Sequence, residues 1–277
     1  MYLFTIILLN FFLLASSNET KSLTIVFVTA PKRRPELERT IRDLKTELHN
    51  LPPQLKIDQL MFVKGCLDGC SHPSLDKAID EIKNEFPQIK ITTPEYKPTQ
   101  NDYVRFDDNF DKLFSVVWDR SGGKRYDWTN KVFKKHMTIN FYFISAVQDI
   151  LENTNTDFVL FSEDDQTYKK NAFHEMYRLM MKNNKNRVYS KISWCQERYC
   201  NHVGEYEFTA KCRKDFVLGA WGALRSRKEM KLFLKWMKFS RMFESEDTLM
   251  SILCEDIDGE VDVIHVSEHF GWKSIPN

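Results

Sequence analysis

Residues 157–165 read Asp-Phe-Val-Leu-Phe-Ser-Glu-Asp-Asp, an apolar run that stops at three consecutive carboxylates, Glu163, Asp164 and Asp165. The run at 158–161 is short, apolar and bounded by polar residues, which predicts a strand buried on both faces. In an open α/β sheet, ligands sit outside the carboxyl ends of the strands. Three acids gathered there repel one another unless a cation neutralises them. Hard divalent ions such as Mn²⁺ or Mg²⁺ take carboxylate oxygens and bridge to substrate phosphates. The stretch therefore fits a metal-dependent site for a nucleotide diphosphate. The competing reading is an acidic strand-to-loop turn that is merely solvated.

Upstream, residues 23–28 (Leu-Thr-Ile-Val-Phe-Val) form a β run broken by Thr29-Ala30-Pro31. Pro35 precedes a helix whose apolar positions, Leu37, Ile41, Leu44 and Leu48, have helical spacing. A strand at 57–63, a helix through Leu75, Ala78, Ile79, Ile82 and Phe86, and a strand at 88–92 follow. Strand alternating with helix predicts βαβ units and a mostly parallel sheet. Residues 95–130 are polar, with Pro98, Gly122, Gly123 and scattered aromatics, and a loop of this length is usually functional. Beyond it the pattern predicts helices at 131–151, 172–181, 228–237 and 247–253, with strands at 188–193, 216–218 and 261–266. Nothing divides the chain, so residues 22–277 read as a single domain.

Residues 2–15 are almost wholly apolar but shorter than the roughly 20 residues that span a bilayer. With small residues at Ala15-Ser16-Ser17, segment 1–17 reads as a cleaved signal peptide or a short signal anchor. Either sends the remainder into the secretory pathway, the Golgi or ER lumen or the exterior. Any membrane association would come through that anchor. Lys and Arg number 40 against 39 Asp and Glu, a net of +1, which gives no drive toward nucleic acid. The 42% hydrophobic content supports a sizeable core. Six cysteines, Cys66, Cys70, Cys195, Cys200, Cys212 and Cys254, are an even count that suits disulfides in an oxidising compartment. A zinc site with His72 and His202 is the rival, but the spacings match no standard module.

Three further motifs follow the acidic strand: Gly219-Ala220-Trp221-Gly222, Glu244-Ser245-Glu246-Asp247, and Glu268-His269-Phe270-Gly271-Trp272-Lys273. The glycines suit either a turn or a close backbone approach to a sugar, with Trp221 stacking on it. The acids near 247 suit either a first helical turn complementing its dipole or a base. His269 alone is an ordinary polar residue.

In this order the motifs resemble those of the GT-A glycosyltransferases, and among them the N-acetylglucosaminyltransferase IV family. That family adds a β1,4-linked N-acetylglucosamine branch to N-glycan cores. Residues 23–34 resemble its opening strand and basic loop, 158–165 its strand ending in a DXD-type metal motif, 218–224 its Leu-Gly-x-x-Gly segment, and 266–274 its late His-x-Gly stretch. The chain is short for that family, the 112–135 region does not follow its pattern, and the helix near Asp247 aligns loosely. The GPI-anchor N-acetylgalactosamine transferases share the acid motif but carry transmembrane segments within the chain, and none is read here.

The resemblance implies a Rossmann-like GT-A domain, a UDP-sugar donor, Mn²⁺ or Mg²⁺, and a glycan or glycoprotein acceptor. It implies metal ligation by Asp165 and Asp164, with Glu163 assisting and His269 completing the set or touching phosphate. It places Thr29 and Arg33 at the nucleotide, Gly219, Trp221 and Gly222 at the donor sugar, and Lys273 on a phosphate oxygen. Asp247 is the implied base that deprotonates the acceptor, with Glu246 in reserve. Tyr96 and the aromatics that follow it would gate or touch the acceptor. Two readings of other classes remain: a metal-dependent phosphohydrolase or nuclease, and a catalytically dead glycan-binding protein on the same scaffold.

Overall fold

A computed structural model describes residues 19–29, 36–64, 73–96, 130–182, 184–192, 201–202, 207–211, 222–240, 254 and 257–269. Its strands are β1 (Lys21–Thr29), β2 (Leu55–Lys64), β3 (Lys90–Thr92), β4 (Phe158–Glu163), β5 (Gln166–Tyr168), β6 (Arg187–Lys191), β7 (Asn201–His202), β8 (Glu207–Lys211), β9 (Ala223–Ser226), β10 (Glu260–Ile264) and β11 (Ser267–His269). Its helices are α1 (Glu36–His49), α2 (Pro73–Glu85), α3 (Asn130–Asn153), α4 (Ala172–Met180) and α5 (Arg227–Ser240).

Nine strands form one sheet in the order β3-β2-β1-β4-β9-β6-β10-β8-β7, while β11 and β5 make a separate pair. β9 runs against β4 and β6, and β8 runs against β10 and β7, so these two oppose the other seven. The sheet is thus mostly parallel in strand direction, a Rossmann-like arrangement, as the βαβ pattern predicts.

Helices cover both faces. On one, Leu37, Ile41, Leu44 and Leu48 of α1 join Leu75, Ile79 and Ile82 of α2 and Phe173 and Met176 of α4 in one core. On the other, Tyr142, Val147 and Ile150 of α3 join Met230 and Phe233 of α5. β4 shows why its sequence is continuously apolar. Phe158 and Leu160 enter the first core and Val159 and Phe161 the second. The start of β4 is fixed to β1 by Asp157, whose carboxylate accepts from the Ser22 N–H at 2.9 Å and the Ser22 hydroxyl at 3.0 Å.

Helix ends are stapled by side chains. Ser226 and Glu229 form a capping box on α5: Glu229 accepts from the Ser226 N–H at 2.6 Å, and the Glu229 N–H donates to Ser226 Oγ at 3.3 Å. Arg227 donates to carbonyls at the C-terminal end of α3, at Leu151 (2.6 Å) and at Thr154 just past it (2.9 Å). Glu47 of α1, buried, accepts the N–H groups of Asn171 (3.1 Å) and Phe173 (3.4 Å) at the start of α4.

The third strand begins at Lys90, two residues later than expected, because Phe86–Ile89 closes a turn with the Ile89 N–H on the Phe86 carbonyl. The last expected strand, 261–266, is β10 and stops at Ile264, two residues early, and β11 lies beyond it. β5, β7, β8, β9 and β11 are strands the sequence did not predict. The expected strand at 216–218, the expected helix at 247–253 and loop 97–129 lie outside the described residues. So does the 1–17 leader. Among the described residues no helix is long and apolar enough to cross a membrane. Cys254 is buried and disulfide-bonded, and the other five cysteines lie outside the described residues.

Gly259 leads into β10 at a point where a side chain has no room. A Cβ there would overlap Val188 Cγ2 and stand 3.1 Å from the Cys254 carbonyl, to which the Gly259 N–H donates at 2.7 Å. Gly259→Ala is expected to destabilise the fold by about 1–3 kcal/mol, the usual cost of overpacking. Urea denaturation of the wild type and the variant checks this, and an unchanged midpoint would show that the contact relaxes freely.

Candidate functional site

β4 delivers Glu163 to the carboxyl edge of the sheet, half-exposed, beside Val28 of β1. Asp164 and Asp165 make the turn into β5, each only 4% exposed. The chain reaches β2 and β3 on one side of β1 and returns to β4 on the other. The strand order therefore reverses between β1 and β4, and the acids stand at that switch point, where open α/β sheets form their ligand crevice.

A chain of buried hydrogen bonds holds the turn. The Tyr168 hydroxyl donates to Ser162 Oγ (2.8 Å), Ser162 Oγ to Gln166 Oε1 (2.9 Å), Gln166 Nε2 to Ser267 Oγ (2.7 Å), and Ser267 Oγ to the Ile192 carbonyl (3.0 Å). Each hydroxyl in the middle accepts once and donates once, so the dipoles align and reinforce one another. Burial pushes the Tyr168 phenol well above its ordinary ionisation range, against a smaller opposing effect of the Ser162 bond, and so keeps it a donor. From outside, Thr40 of α1 donates to the Asp164 carbonyl at 3.0 Å.

This network sets β5 against β11 with His269 opposite Gln166, Glu268 opposite Thr167 and Ser267 opposite Tyr168. His269 is thereby carried next to the acidic turn by backbone pairing across 103 residues of sequence (269 minus 166). Gly222 has φ 68°, a left-handed conformation that favours glycine. Its N–H donates to the Phe161 carbonyl at 2.8 Å and its carbonyl accepts from Ile192 at 2.9 Å, tying β9 between β4 and the residue after β6. Gly222 thus occupies the turn that leads into β9.

Thr29 ends β1 fully buried, and its hydroxyl donates to the Val63 carbonyl of β2 at 3.4 Å. Tyr96, half-buried, donates to Asp149 of α3 at 2.8 Å, which anchors the start of the aromatic-rich segment on that helix. Arg33, Gly219, Trp221, Glu246, Asp247 and Lys273 lie outside the described residues.

Among the described residues no group of three or more His, Cys, Asp and Glu side chains is placed to hold a metal ion. The turn still fits a hard divalent ion in donor chemistry. Such an ion, when it binds a nucleotide, takes one or two protein carboxylates and completes its shell with phosphate oxygens and water. Asp164 and Asp165 can supply the carboxylates. Ser162, Gln166, Tyr168 and Ser267 are the contributors that the sequence did not single out. Only the polar residues interrupting apolar strands at 162 and 166–168 hinted at them.

No family model matches the chain, and no curated protein does. Solved structures similar to it include S. aureus TarS 1-349, at TM-score 0.44 and 13% identity over 90% of this chain and 60% of that one. The same protein in complex with UDP-GlcNAc gives 0.42 and 11% over 93% and 62%. The inositol-1-phosphate CTP transferase from T. maritima gives 0.39 and 11% over 91% and 89%. The chain spans about 60% of the length of the two TarS structures.

Gln166→Leu should cost about 1–3 kcal/mol, since it leaves the Ser162 and Ser267 hydroxyls buried beside a hydrocarbon. Thermal and urea unfolding measure it, and a loss below a few tenths would mean the network does not hold the turn.

His265, half-buried between β10 and β11, is pushed below its ordinary pKa, first by burial and then by Lys169, with Glu268 opposing. The unfolded chain therefore takes up this proton first as the pH falls. Stability should decline from about pH 6.5 downward until the folded form also protonates. His265→Gln should flatten that part of a stability-against-pH curve, and an identical curve for both proteins would refute the assignment.

Proposed function

We propose that the chain is a metal-dependent inverting glycosyltransferase that moves a sugar from a UDP-sugar, N-acetylglucosamine from UDP-GlcNAc, to a glycan acceptor such as the mannose of an N-glycan. One observation carries the reading. Glu163, Asp164 and Asp165 stand at the switch point of the sheet, with β11 pairing His269 beside them. A ligand in that crevice meets carboxylates, and a diphosphate can share a cation with them.

In this reading Asp165 and Asp164 hold Mn²⁺ or Mg²⁺, with Glu163 and His269 adjacent. A bound ion of this kind neutralises the charge of a diphosphate leaving group. The donor's nucleotide lies over the end of β1, where Thr29 closes the strand and Arg33 follows. Lys273 pairs with phosphate, and Gly219, Trp221 and Gly222 border the sugar. Asp247, with Glu246 as the reserve, takes the proton of the acceptor hydroxyl as that oxygen attacks the anomeric carbon. We also assign the chain to the lumen of the secretory pathway, a placement supported by the apolar 2–15 segment and the disulfide at Cys254.

Calorimetry with UDP-GlcNAc and MnCl₂, paired with UDP release in the presence of glycan acceptors, tests the reading. Asp165→Asn should abolish Mn²⁺-dependent donor binding while unfolding stays cooperative, and unchanged binding removes the metal role. Asp247→Asn should slow transfer by about 10²–10⁴-fold with donor affinity retained. Normal transfer in that variant together with loss in Glu246→Gln moves the base by one residue. Full-rate UDP release without any acceptor would instead identify a hydrolase. Donor binding without turnover on any acceptor would identify a binding scaffold.

A further inference from the structure

A recess of about 460 Å³ opens at the opposite edge of the sheet, where β6 and β10 begin and β9 hands over to α5. Glu163 leaves the sheet at the far end of β4. Six residues at about 3.3 Å each put the two places roughly 20 Å apart. The recess belongs to no part of the site described above.

Its charge is one-sided. Lys228, Lys231 and Lys235 line it from one face of α5, at the spacing of successive helical turns, and Lys185 faces them from the segment before β6. All four are exposed, and among the described residues none takes part in an ion pair. The one carboxylate among the described lining residues, Glu229, is already committed. It is nearly buried, 2.8 Å from Arg187 and 2.6 Å from the Ser226 N–H. Arg187 also stands 3.7 Å from Asp262, so this buried group offers no positive charge to the recess, and among the described residues no carboxylate pairs with the four lysines. Asp258 is exposed nearby but does not line the recess. Four ammonium groups around one concavity repel one another, and an anion that bridges them relieves the repulsion.

We propose that this recess binds a small oligoanion carrying two or more phosphate or sulfate groups. Lysine presents compact point charges suited to such groups. The volume is that of an ordinary small-molecule site. A lipid surface would be met by a flat or convex basic face, whereas these lysines surround a hollow. Ile257, 49% exposed, adds an apolar wall against which the uncharged part of the ligand rests.

Titration of the full chain with inorganic tripolyphosphate and with a sulfated disaccharide, in EDTA to silence the acidic turn, tests this by calorimetry. Saturable one-to-one binding that weakens as salt rises is expected for at least one probe. Lys231→Glu/Lys235→Glu should weaken it by about tenfold or more, since two attractive charges become repulsive. Lys83→Glu/Lys90→Glu, which changes net charge equally at exposed positions elsewhere, should leave it intact. Should the first pair perturb folding, Lys231→Gln/Lys235→Gln gives the same comparison with a smaller loss. Equal weakening in the control pair would reduce the effect to net charge and overturn the proposal. So would failure of both probes to bind. Lysine-dependent binding of phosphatidylserine vesicles without binding of either probe would make the partner a membrane surface and overturn it as well.

Discussion

The hydrogen-bond chain from Tyr168 through Ser162, Gln166 and Ser267 to the Ile192 carbonyl is the constraint on which the acidic edge depends. Three adjacent carboxylates at a strand end have every electrostatic reason to splay into water. Two of them instead sit 4% exposed, because the residues on either side are pinned. Ser162 is fixed before the turn and Gln166 after it, and both are buried. An unmade bond in such a place costs more than a made one gains, so the chain is held by the penalty for breaking it. The same bonds secure β11, whose pairing with β5 is what carries residue 269 to the turn.

The sheet's other unusual feature is charge within the layer. Arg225 of β9 is 1% exposed, with its guanidinium 4.6 Å from the ring centre of Phe233 and 5.3 Å from those of Phe161 and Tyr189. Three ring faces offer a desolvated cation part of what water would have given it. β9 is the strand that joins β4 to β6, so this cation sits where the parallel half of the sheet meets the mixed half. Arg187, Glu229 and Asp262 add a buried group nearby, with Arg187 2.8 Å from Glu229 and 3.7 Å from Asp262. Buried ion networks of this kind specify one arrangement more than they stabilise it. At the junction of two strand directions, specification is the more pressing need.

How much of this was legible in the sequence follows from how each element is held. The described helices were readable to within about three residues, because one face of each enters a core and leaves a period in the chain, as Leu37, Ile41, Leu44 and Leu48 do for α1. β1, β2 and β4 were readable because each carries four consecutive apolar residues, at 25–28, 60–63 and 158–161, with neighbours alternating into the two cores. β9 was not, since Arg225 violates the expectation that a buried strand is apolar, and the rings packed on it come from three separate elements. β5 and β11 were not readable either. Each is three residues long, and their reason for pairing is the Gln166–Ser267 bond across 101 positions. The acids of the candidate site were legible as residues, while the bonds that shape their turn were not. Those bonds join ordinary Ser, Gln and Tyr residues whose meaning is set only by what lies opposite.

That division has a physical logic. A carboxylate announces itself because it is costly wherever it is buried, and so it stands out at the end of an apolar run. A serine or glutamine is cheap on the surface and decisive only when every partner is present. The two edges of the sheet display both cases. At the carboxyl edge, negative charge is drawn inward and held by neutral hydrogen bonds that leave no net charge of their own. At the amino edge, Arg187 is paired inside with Glu229 and Asp262, while Lys228, Lys231 and Lys235 of α5 are exposed and make no ion pair among the described residues. What distinguishes the edges is the sign of the charge left facing solvent, which decides the kind of ligand that can approach each one.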